Sequence, residues 1–317
     1  MSTAAKKAVA KKPTAGAPKT RSAKKAVMFQ RVAFIGIGLI GASMALAMRR
    51  AGIVGSMIAC ARRPKTRKAA LRLKIVDEVT ADYTVAVKDA DLVVIATPIS
   101  TNGEIAKIIA PHLKKGAIVT DVGSVKQAVI AAVAPHIPRG VDFVPGHPLA
   151  GTEHSGPESG FAELFQGRWA LLTPLPKHSK KAVAKIAEMW RLLGSKVDMM
   201  SAAHHDKVLA ITSHLPHLIA YTAVGTATDL AMDMRQEVIE FSASGFRDFT
   251  RVAASDPVMW RDIFLNNREA VLEILQRFNE DLTALQRAIR RGDGQALEDL
   301  FTRTRAIRRG IIDAKQA

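Results

Sequence analysis

A glycine-rich turn close to the start of the apolar sequence has the spacing that dinucleotide binding requires. Residues 36–41 read G-I-G-L-I-G, after an apolar run of strand length, Arg31–Ile35, and before a run of good helix formers. The first glycine permits a tight turn, the second lets the backbone approach a pyrophosphate, and the third lets the helix pack on the strand. A pyrophosphate would lie at the helix N-terminus, where N–H groups and the helix dipole favour anions. The predicted cofactor-binding residues of this turn are Gly36, Gly38, Leu39, Ile40 and Gly41.

The residues after the second strand indicate which dinucleotide is bound. The predicted strand Ser56–Cys60 is followed by Ala61, Arg62 and Arg63, with no acid at the strand end. NAD sites usually carry an acid there for the ribose 2′-hydroxyl, whereas guanidinium groups suit a 2′-phosphate. The sequence therefore favours NADP, with NAD as the other possibility.

Polar side chains follow three further apolar runs, at the points where the predicted strands end. Thr97 and Pro98 follow one run, Ser124 follows the next, and His147 follows the third. In open parallel sheets, ligands bind beyond the carboxyl ends of the strands. We therefore expect Thr97, Ser124 and His147 to converge on one site, with Thr97 and Pro98 on its cofactor side.

These side chains need a sheet to position them, and the sequence up to Met199 provides one. Near-continuous apolar runs alternate with helical stretches, which is typical of a parallel sheet covered on both faces. The fold class predicted is α/β: an N-terminal Rossmann-type parallel-sheet domain (29–199), then an all-helical C-terminal domain (200–317). We expect the last strands at Trp169–Thr173 and Val197–Met199, on either side of a helix over 179–193.

The charge of the chain is unevenly distributed. The 317 residues carry a formal charge of +17, and residues 1–28 hold eight basic side chains and no acid. This segment has too little apolar surface to offset its ordering entropy, so we predict a disordered basic tail. Such a tail leaves nucleic-acid binding open, although the enzyme interpretation does not need it. Cys60 is the single cysteine, so the sequence gives no sign of an oxidising compartment, and a cytoplasmic enzyme is expected.

After Met200 the sequence is helical in pattern. We predict a helix over 204–220 that kinks at Pro216, with His214 and His217 on one face. His204 and His205 are interpreted as surface residues. Ser255-Asp256-Pro257 predicts the start of a long helix, which carries an apolar stripe. The stripe packs either against a second subunit or within the same chain. The stripe consists of Leu272, Leu275, Phe278, Leu282, Leu285 and Ile289.

Several strings, taken in order, identify a family. They are residues 36–41, DVGSVK at 121–126, GHPLAGTE at 146–153, SHLPH at 213–217 and GFRDFTR at 245–251. This set resembles the prephenate/arogenate (cyclohexadienyl) dehydrogenases of tyrosine biosynthesis, in the form without a fused mutase or regulatory domain. The resemblance implies hydride transfer to NAD(P)+ with loss of the ring carboxylate as CO₂. Prephenate would give 4-hydroxyphenylpyruvate, and arogenate would give tyrosine.

The resemblance also implies roles for residues that match the motifs. His147 would be the base that receives the proton of the ring hydroxyl, and Ser124 would orient it. Arg251 would bind a carboxylate of a dicarboxylate substrate. The other implied substrate-binding residues are Lys126, Thr152, His214 and His217, and Glu153 and Asp248 would form an ionic network. The helical domain would bind substrate and form a homodimer, without membrane or metal.

Two alternatives compete with this interpretation. A β-hydroxyacid-type dehydrogenase would carry a Lys-x-x-Asn motif on its helical domain, but Lys207 is followed three residues later by Ala210. A nucleic-acid-binding protein would act through the basic tail and lose its affinity with added salt. Interior or metal-binding roles for His214 and His217, and a simple Arg251–Asp248 pair, remain possible at this point. The residues do not decide between prephenate and arogenate.

Overall fold

A six-stranded parallel sheet forms the centre of the N-terminal domain. The structure, a computed structural model, describes residues 27–176, 179–229 and 240–313 together with Glu237. The strand order is β3-β2-β1-β4-β5-β6, and every neighbouring pair is parallel. The strands are β1 (Phe29–Ile35), β2 (Val54–Cys60), β3 (Glu78–Thr80), β4 (Leu92–Ile95), β5 (Ile118–Asp121) and β6 (Asp142–Val144). The predicted Rossmann-type sheet is therefore confirmed.

Helices cover both faces of this sheet, because alternate side chains of each strand point to opposite sides. In β1, Val32 and Phe34 pack into one buried apolar cluster, whereas Ala33 and Ile35 pack into the other. The connecting helices are α1 (Leu39–Ala51), α2 (Pro64–Arg72), α3 (Tyr83–Val87), α4 (Asn102–Ile109) and α5 (Lys126–Val133). The carboxyl ends of the strands are thereby left at one edge, next to the helical domain.

The strands predicted at 169–173 and 197–199 belong to a separate small sheet. This sheet has the order β7-β8-β9, with β7 antiparallel to β8. Its strands are β7 (Gly146–Pro148), β8 (Trp169–Leu172) and β9 (Lys196–Met199), and α6 (Lys180–Leu192) connects the last two. Pro145 separates β6 from β7 and has no N–H for the ladder, while its carbonyl oxygen accepts from the Thr173 N–H at 3.0 Å. The segment 146–148, which was expected to follow the end of a strand, is itself a short strand that carries His147.

The remainder of the described chain is helical, as predicted. Its elements are α7 (Ala202–Leu209), a π-helical turn (Ala210–His214), α8 (Leu215–Asp229), α9 (Ser244–Thr250), α10 (Pro257–Asn266), α11 (Arg268–Arg291) and α12 (Gly294–Asp313). The kink expected at Pro216 takes the form of the π-helical turn just before it. Pro216 has no N–H for the carbonyl of Thr212, so the regular ladder cannot continue there.

The single long helix expected after Ser255 is in fact two helices. Asn267, with φ −113° and ψ 31°, separates α10 from α11. Its buried side-chain amide donates to the carbonyl oxygen of Asp206 at 2.9 Å and bonds to His214 at 3.0 Å. These tertiary bonds explain a break that the local sequence does not announce.

Side chains from the two domains bond directly to each other. Asp206 on α7 accepts from the backbone N–H groups of Lys126 and Gln127, at 2.7 and 2.9 Å, and so caps α5. Near the carboxyl end of β4, the Ser100 hydroxyl donates to Asp262 on α10 at 2.6 Å. The helical domain is therefore fixed to the sheet edge where the predicted site residues lie.

Two features of the chain bear on the tail and on membranes. The predicted tail lies outside the described residues except for Val27 and Met28, and Met28 donates its N–H to the Ile53 carbonyl at 2.9 Å. One described helical stretch, Ala202–Asp229, has the length and apolar composition of a membrane span. Its buried polar residues His205, Asp206 and His214 bond to other elements of the protein.

Candidate active site

Two glycines of the turn after β1 are required by packing. Gly36 has φ +93°, and a Cβ there would lie 2.5 Å from the carbonyl oxygen of Ala96. A Cβ on Gly41 would lie 2.7 Å from the carbonyl oxygen of Gly36. Any larger residue at either position would force the turn away from β4 or the helix away from the turn.

The middle glycine opens onto free space instead. A Cβ on Gly38 would meet no atom within 4 Å among the described residues. Gly38 caps α1 without a side-chain hydrogen bond, and the first turn of α1 contains no acid. Leu39 and Ile40 are the first two residues of α1, so their backbone N–H groups have no acceptor within the helix. The turn therefore fits the pyrophosphate of a dinucleotide, as an anion at a helix N-terminus.

The end of β2 presents two arginines to solvent. Arg62 and Arg63 are exposed, and neither forms an ion pair with another described residue. The loop that carries them is held by Arg67, whose guanidinium donates to the carbonyl oxygens of Ala61 and Arg62 at 2.6 and 2.8 Å. Both arginines thus stand where a ribose 2′-substituent is expected.

A polar cluster follows β4, beside the glycine turn. The Thr97 hydroxyl donates to Asn102 at 3.1 Å and accepts from Thr101 at 3.0 Å, and Pro98 precedes the turn into α4. The Nδ2 atom of Asn102 is buried without a partner among the described residues. A buried amide donor without an acceptor is costly, so an acceptor supplied by a bound ligand would suit it. Sequence reasoning missed Asn102, although it begins the helix directly after the Thr-Pro pair.

His147 lies on β7 at the sheet edge. Gly146 and Pro148 on either side of it are buried, and His147 itself remains partly exposed. Its Nδ1 atom is 2.9 Å from Nε2 of His205. Burial, together with the charges of His205, Lys126 and His214, lowers the pKa of His147 well below its usual value. The ring is therefore neutral near pH 7 and able to accept a proton.

Ser124 follows β5 and His147 follows the neighbouring strand β6, but the two side chains are not hydrogen-bonded to each other. Ser124 lies partly exposed in the loop between β5 and α5. The described residues provide no hydrogen-bond partner for its hydroxyl group, which leaves that group available to a substrate. Ser124 was predicted to orient His147, but no direct hydrogen bond between the two residues supports this role.

The predicted substrate-binding role of Lys126 is not supported. Its side chain is completely buried, paired with the equally buried Asp121, and donates to the Gly146 carbonyl oxygen at 2.7 Å. Asp121 in turn accepts from the backbone N–H groups of Gly123 and Gly146, at 2.8 and 3.2 Å. Lys126 thus fixes the start of β7 from beneath, and its ammonium group cannot reach a substrate.

The interpretation of His205 as a surface residue is wrong. His205 is 0% exposed, and its Nδ1 atom is 2.8 Å from Oδ1 of Asp206. His204, the neighbouring residue on α7, is exposed as expected. A single sequence contains no signal that separates the two, apart from their different directions around the first turn of a helix.

His214 and His217 of the helical domain both contact Trp260. His217 stacks on Trp260 with ring centroids 3.7 Å apart, and His214 meets it edge-on at 6.0 Å. His217 donates from Nδ1 to the Ser213 carbonyl oxygen at 2.8 Å, and burial lowers its pKa. His214 is fully buried, and its Nε2 atom has no partner among the described residues. Trp260 was not identified from the sequence.

The predicted ionic network is present only in part. Arg251 pairs with Glu153 at 3.3 Å across the two domains, rather than with Asp248 on its own helix. Asp248 is exposed and forms no ion pair with another described residue. Thr152 is exposed next to Glu153, and its hydroxyl accepts from the His154 N–H at 3.3 Å. No group of three or more His, Cys, Asp and Glu side chains within the described ranges could hold a metal ion.

Family models match nearly all of this architecture. Residues 44–199 match the model described as prephenate dehydrogenase, nucleotide-binding domain, and residues 201–303 match prephenate dehydrogenase, dimerization domain. The cyclohexadienyl dehydrogenase of Zymomonas mobilis is 42% identical over 281 residues, covering 89% of this chain and 96% of that protein. The prephenate dehydrogenase of Bacillus subtilis is 31% identical over 285 residues, covering 90% of this chain and 76% of the relative.

Solved structures agree with the family models. The prephenate dehydrogenase of Aquifex aeolicus, in complex with hydroxyphenyl propionate and NAD+, superposes with a TM-score of 0.83 at 35% identity, covering 89% of this chain and 98% of that chain. The arogenate dehydrogenase of Synechocystis superposes with a TM-score of 0.74 at 29% identity, covering 88% of this chain and 99% of that chain. This chain therefore belongs to the prephenate dehydrogenase family.

Proposed function

We propose how individual residues of this protein perform the activity of its family, the oxidative decarboxylation of prephenate, arogenate or both. The observation that carries the assignment is a neutral, partly exposed His147 beyond the carboxyl ends of the strands of the large sheet, the same side as a turn that fits a dinucleotide. The nicotinamide of the bound cofactor supplies the hydride acceptor. The alternatives based on a catalytic lysine or on nucleic-acid binding are not needed to account for this site.

His147 receives a proton as the substrate is oxidised. The ring carbon that bears the hydroxyl group loses a hydride, and the hydroxyl proton moves to Nε2 of His147, so that a carbonyl forms. The bond to the ring carboxylate then breaks, CO₂ leaves, and its electron pair makes the ring aromatic. The phenolate oxygen takes the proton back from His147, so the base is restored within one turnover.

The remaining polar residues bind the substrate's anionic groups. Arg251 is placed to bind a carboxylate when its pair with Glu153 opens, since a guanidinium can hold a carboxylate with two parallel bonds. Ser124 offers its hydroxyl group to the ring hydroxyl. His217 and Thr152 would also bind the substrate, and Trp260, which contacts both His217 and His214, would hold the His217 ring in place.

The cofactor is proposed to be NADP in preference to NAD. Arg62 and Arg63 are exposed after β2, where an acid would bind the ribose of NAD. Gly36, Gly38 and Gly41 with the N–H groups of Leu39 and Ile40 would hold the pyrophosphate. Thr97, Pro98 and Asn102 would line the nicotinamide side.

We also propose a homodimer formed through the helical domain. In the single chain, apolar side chains of α11 and α12 are exposed, Leu272 to 53% and Phe301 to 56%. A second copy of this chain would cover them, in line with the dimerization domain matched over residues 201–303. A cytoplasmic location suits such a biosynthetic enzyme.

Steady-state kinetics of the purified protein test these assignments. Both substrates are crossed with both cofactors, for the unsubstituted enzyme and for His147→Asn. His147→Asn is expected to lower kcat by about 10²–10⁴-fold because the base is lost, while cofactor affinity changes little. Normal turnover in His147→Asn would overturn the assignment of the base. A higher kcat/KM with NAD+ than with NADP+ would overturn the cofactor preference.

A further inference from the structure

A chain of three side chains runs from the sheet edge into the helical domain. His147 on β7 bonds to His205 at 2.9 Å, and His205 bonds to Asp206 at 2.8 Å. His205 is 0% exposed and Asp206 is 1% exposed, so neither can touch the substrate or cofactor. The chain nevertheless ends at the residue that the proposed function uses as the base.

The direction of each hydrogen bond follows from the charged end of the chain. Burial pushes the pKa of Asp206 upward, but bonds from His205 and from the N–H groups of Lys126 and Gln127 outweigh burial and hold it below its usual value. Asp206 is thus a carboxylate, which can only accept, so Nδ1 of His205 must carry a proton. Burial lowers the pKa of His205, so its ring is neutral and Nε2 bears a lone pair.

The protonation of His205 fixes the hydrogen-bond direction at the His147 ring. Because Nε2 of His205 can only accept, Nδ1 of His147 must donate to it across the 2.9 Å contact. A neutral His147 protonated at Nδ1 leaves its lone pair on Nε2. We infer that His205 and Asp206 are positioning residues that select this tautomer, and thereby make Nε2 of His147 the atom that accepts the substrate's proton.

The surrounding charges are consistent with this arrangement. Lys126 and Asp121 face the chain from α5 and β5 as a buried, mutually neutralising pair, and His214 faces it from the π-helical turn. Asp206 is held on its other side by the start of α5, so it cannot turn away from His205. The rings of His147 and His205 meet at 63°, with centroids 5.1 Å apart, which leaves an edge-to-edge hydrogen bond as their contact.

This inference rests on the proposed role of His147, but its first test does not. In protein labelled with ¹⁵N-histidine, long-range ¹H–¹⁵N spectra near pH 7 distinguish a ring protonated at Nδ1 from one protonated at Nε2. The signal that disappears in His147→Asn belongs to His147. We expect it to show the Nδ1-protonated tautomer, and an Nε2-protonated ring in the unsubstituted protein would overturn the inference without any further variant.

Variants of His205 provide the second test. His205→Phe keeps a ring but removes the acceptor, so the His147 signal should move towards a mixture of tautomers and kcat should fall at least tenfold with little change in cofactor Kd. His205→Gln can place an amide oxygen near the position of Nε2 and should recover part of both. His204→Phe makes the same change at the exposed neighbour and should alter neither.

The outcomes separate this inference from the function on which it rests. If His147→Asn turns over normally, the proposed base is wrong, whatever the spectra show. If His147→Asn is inactive but His205→Phe retains kcat within twofold and an unchanged His147 tautomer, the positioning role is wrong and the base stands. If His205→Phe fails to fold, the spectrum of the unsubstituted protein and the kinetics of His205→Gln still decide.

Discussion

Three histidines in the interior of this protein have lowered pKa values, which makes its stability depend on pH. His147 bonds to His205, and Asn267 bonds both to His214 and to the carbonyl oxygen of Asp206. Burial lowers the pKa of all three histidines. Each neutral ring has one nitrogen that donates and one that accepts, so the three rings orient hydrogen bonds without adding charge to the interior. This suits a site that must hold a dianionic substrate next to a proton acceptor, because a protonated ring would compete for the carboxylates.

Acid should therefore destabilise the protein through His214. Burial lowers the pKa of His214 to about 4, from an ordinary value near 6.5. Above pH 6.5 both folded and unfolded chains are neutral at this residue, so it has no effect. Below that value only the unfolded chain takes up the proton, and the loss of stability grows to about 3 kcal/mol near pH 4.

His214→Asn should remove this contribution. We expect the free energy of unfolding, from urea titrations at about pH 7 and about pH 5, to depend on pH less steeply in His214→Asn, by at most about 1.4 kcal/mol per pH unit. His204→Asn controls for the loss of a histidine at an exposed site of the same domain. Equal slopes in His214→Asn and the unsubstituted protein would contradict the prediction.

Sequence patterns identified residues by type better than by environment. His147 and Arg251 could be found because motifs mark them, and the structure places both at the domain boundary. Lys126 and His205 were misjudged because exposure depends on contacts with other elements: the Lys126 side chain is paired with Asp121 and Gly146, and His205 contacts His147. No local pattern contains that information, since Asp206, Asp121 and Lys126 meet only in the folded chain.

At the scale of elements, two glycines of the turn between β1 and α1 are in different environments. Gly36 is needed for packing, because its φ is +93° and a Cβ would lie 2.5 Å from the Ala96 carbonyl oxygen. Gly38 faces open space at an uncapped helix start, and we propose that it is needed for access of the pyrophosphate. The turn itself was predictable from spacing, whereas the different roles depend on distances to β4.

Alanine at these two positions should give opposite results. Gly38→Ala should keep the Tm near that of the unsubstituted protein but raise the KM for the dinucleotide roughly tenfold, since the methyl group occupies the pyrophosphate space. Gly36→Ala should instead lower stability by more than about 1 kcal/mol. Thermal unfolding and dinucleotide titration check both variants. A Gly38→Ala protein with unchanged KM would show that the cofactor lies elsewhere.

Breaks in the elements were harder to foresee than the elements themselves. Five strands of the large sheet, β1, β2, β4, β5 and β6, follow from apolar runs and were predicted, whereas the short edge strand β3 (Glu78–Thr80) was not. The separate β7–β9 sheet depends on Pro145 and on the Thr173 N–H, which lies 28 residues away in sequence. The interruption at Asn267 likewise depends on partners in α7 and the π-helical turn. Such long-range bonds lie beyond what local periodicity encodes.

The whole molecule carries an apolar surface that a single copy leaves uncovered. Leu282 on α11 is 46% exposed and Ile289 is 67% exposed, while Ile307 on α12 is 60% exposed. Leu282 and Ile289 belong to the stripe predicted from the sequence, Ile307 adds an exposed apolar side chain on α12, and all three lie outside the N-terminal domain's core.

Leu282→Asp should weaken the proposed dimer. A buried, unpaired carboxylate at the interface should raise the dimer Kd by at least about tenfold. Ala284→Asp introduces the same side chain at an exposed position around the far side of α11, and it should leave the dimer intact. Sedimentation velocity over a concentration series measures both. A monomeric unsubstituted protein would contradict the proposal, and so would a Leu282→Asp protein that dimerises normally.

Asp206 has a consequence for how the enzyme can move. One carboxylate on the helical domain both begins α5 of the N-terminal domain and ends the chain that reaches His147. Any opening of the domains that pulled Asp206 away would expose the start of α5 and leave the base without a fixed protonation pattern. Substrate entry should therefore proceed by local opening at the Arg251–Glu153 pair rather than by hinging of the domains. The selected tautomer of His147 therefore depends on the contact between the two domains, since His205 and Asp206 belong to the helical domain.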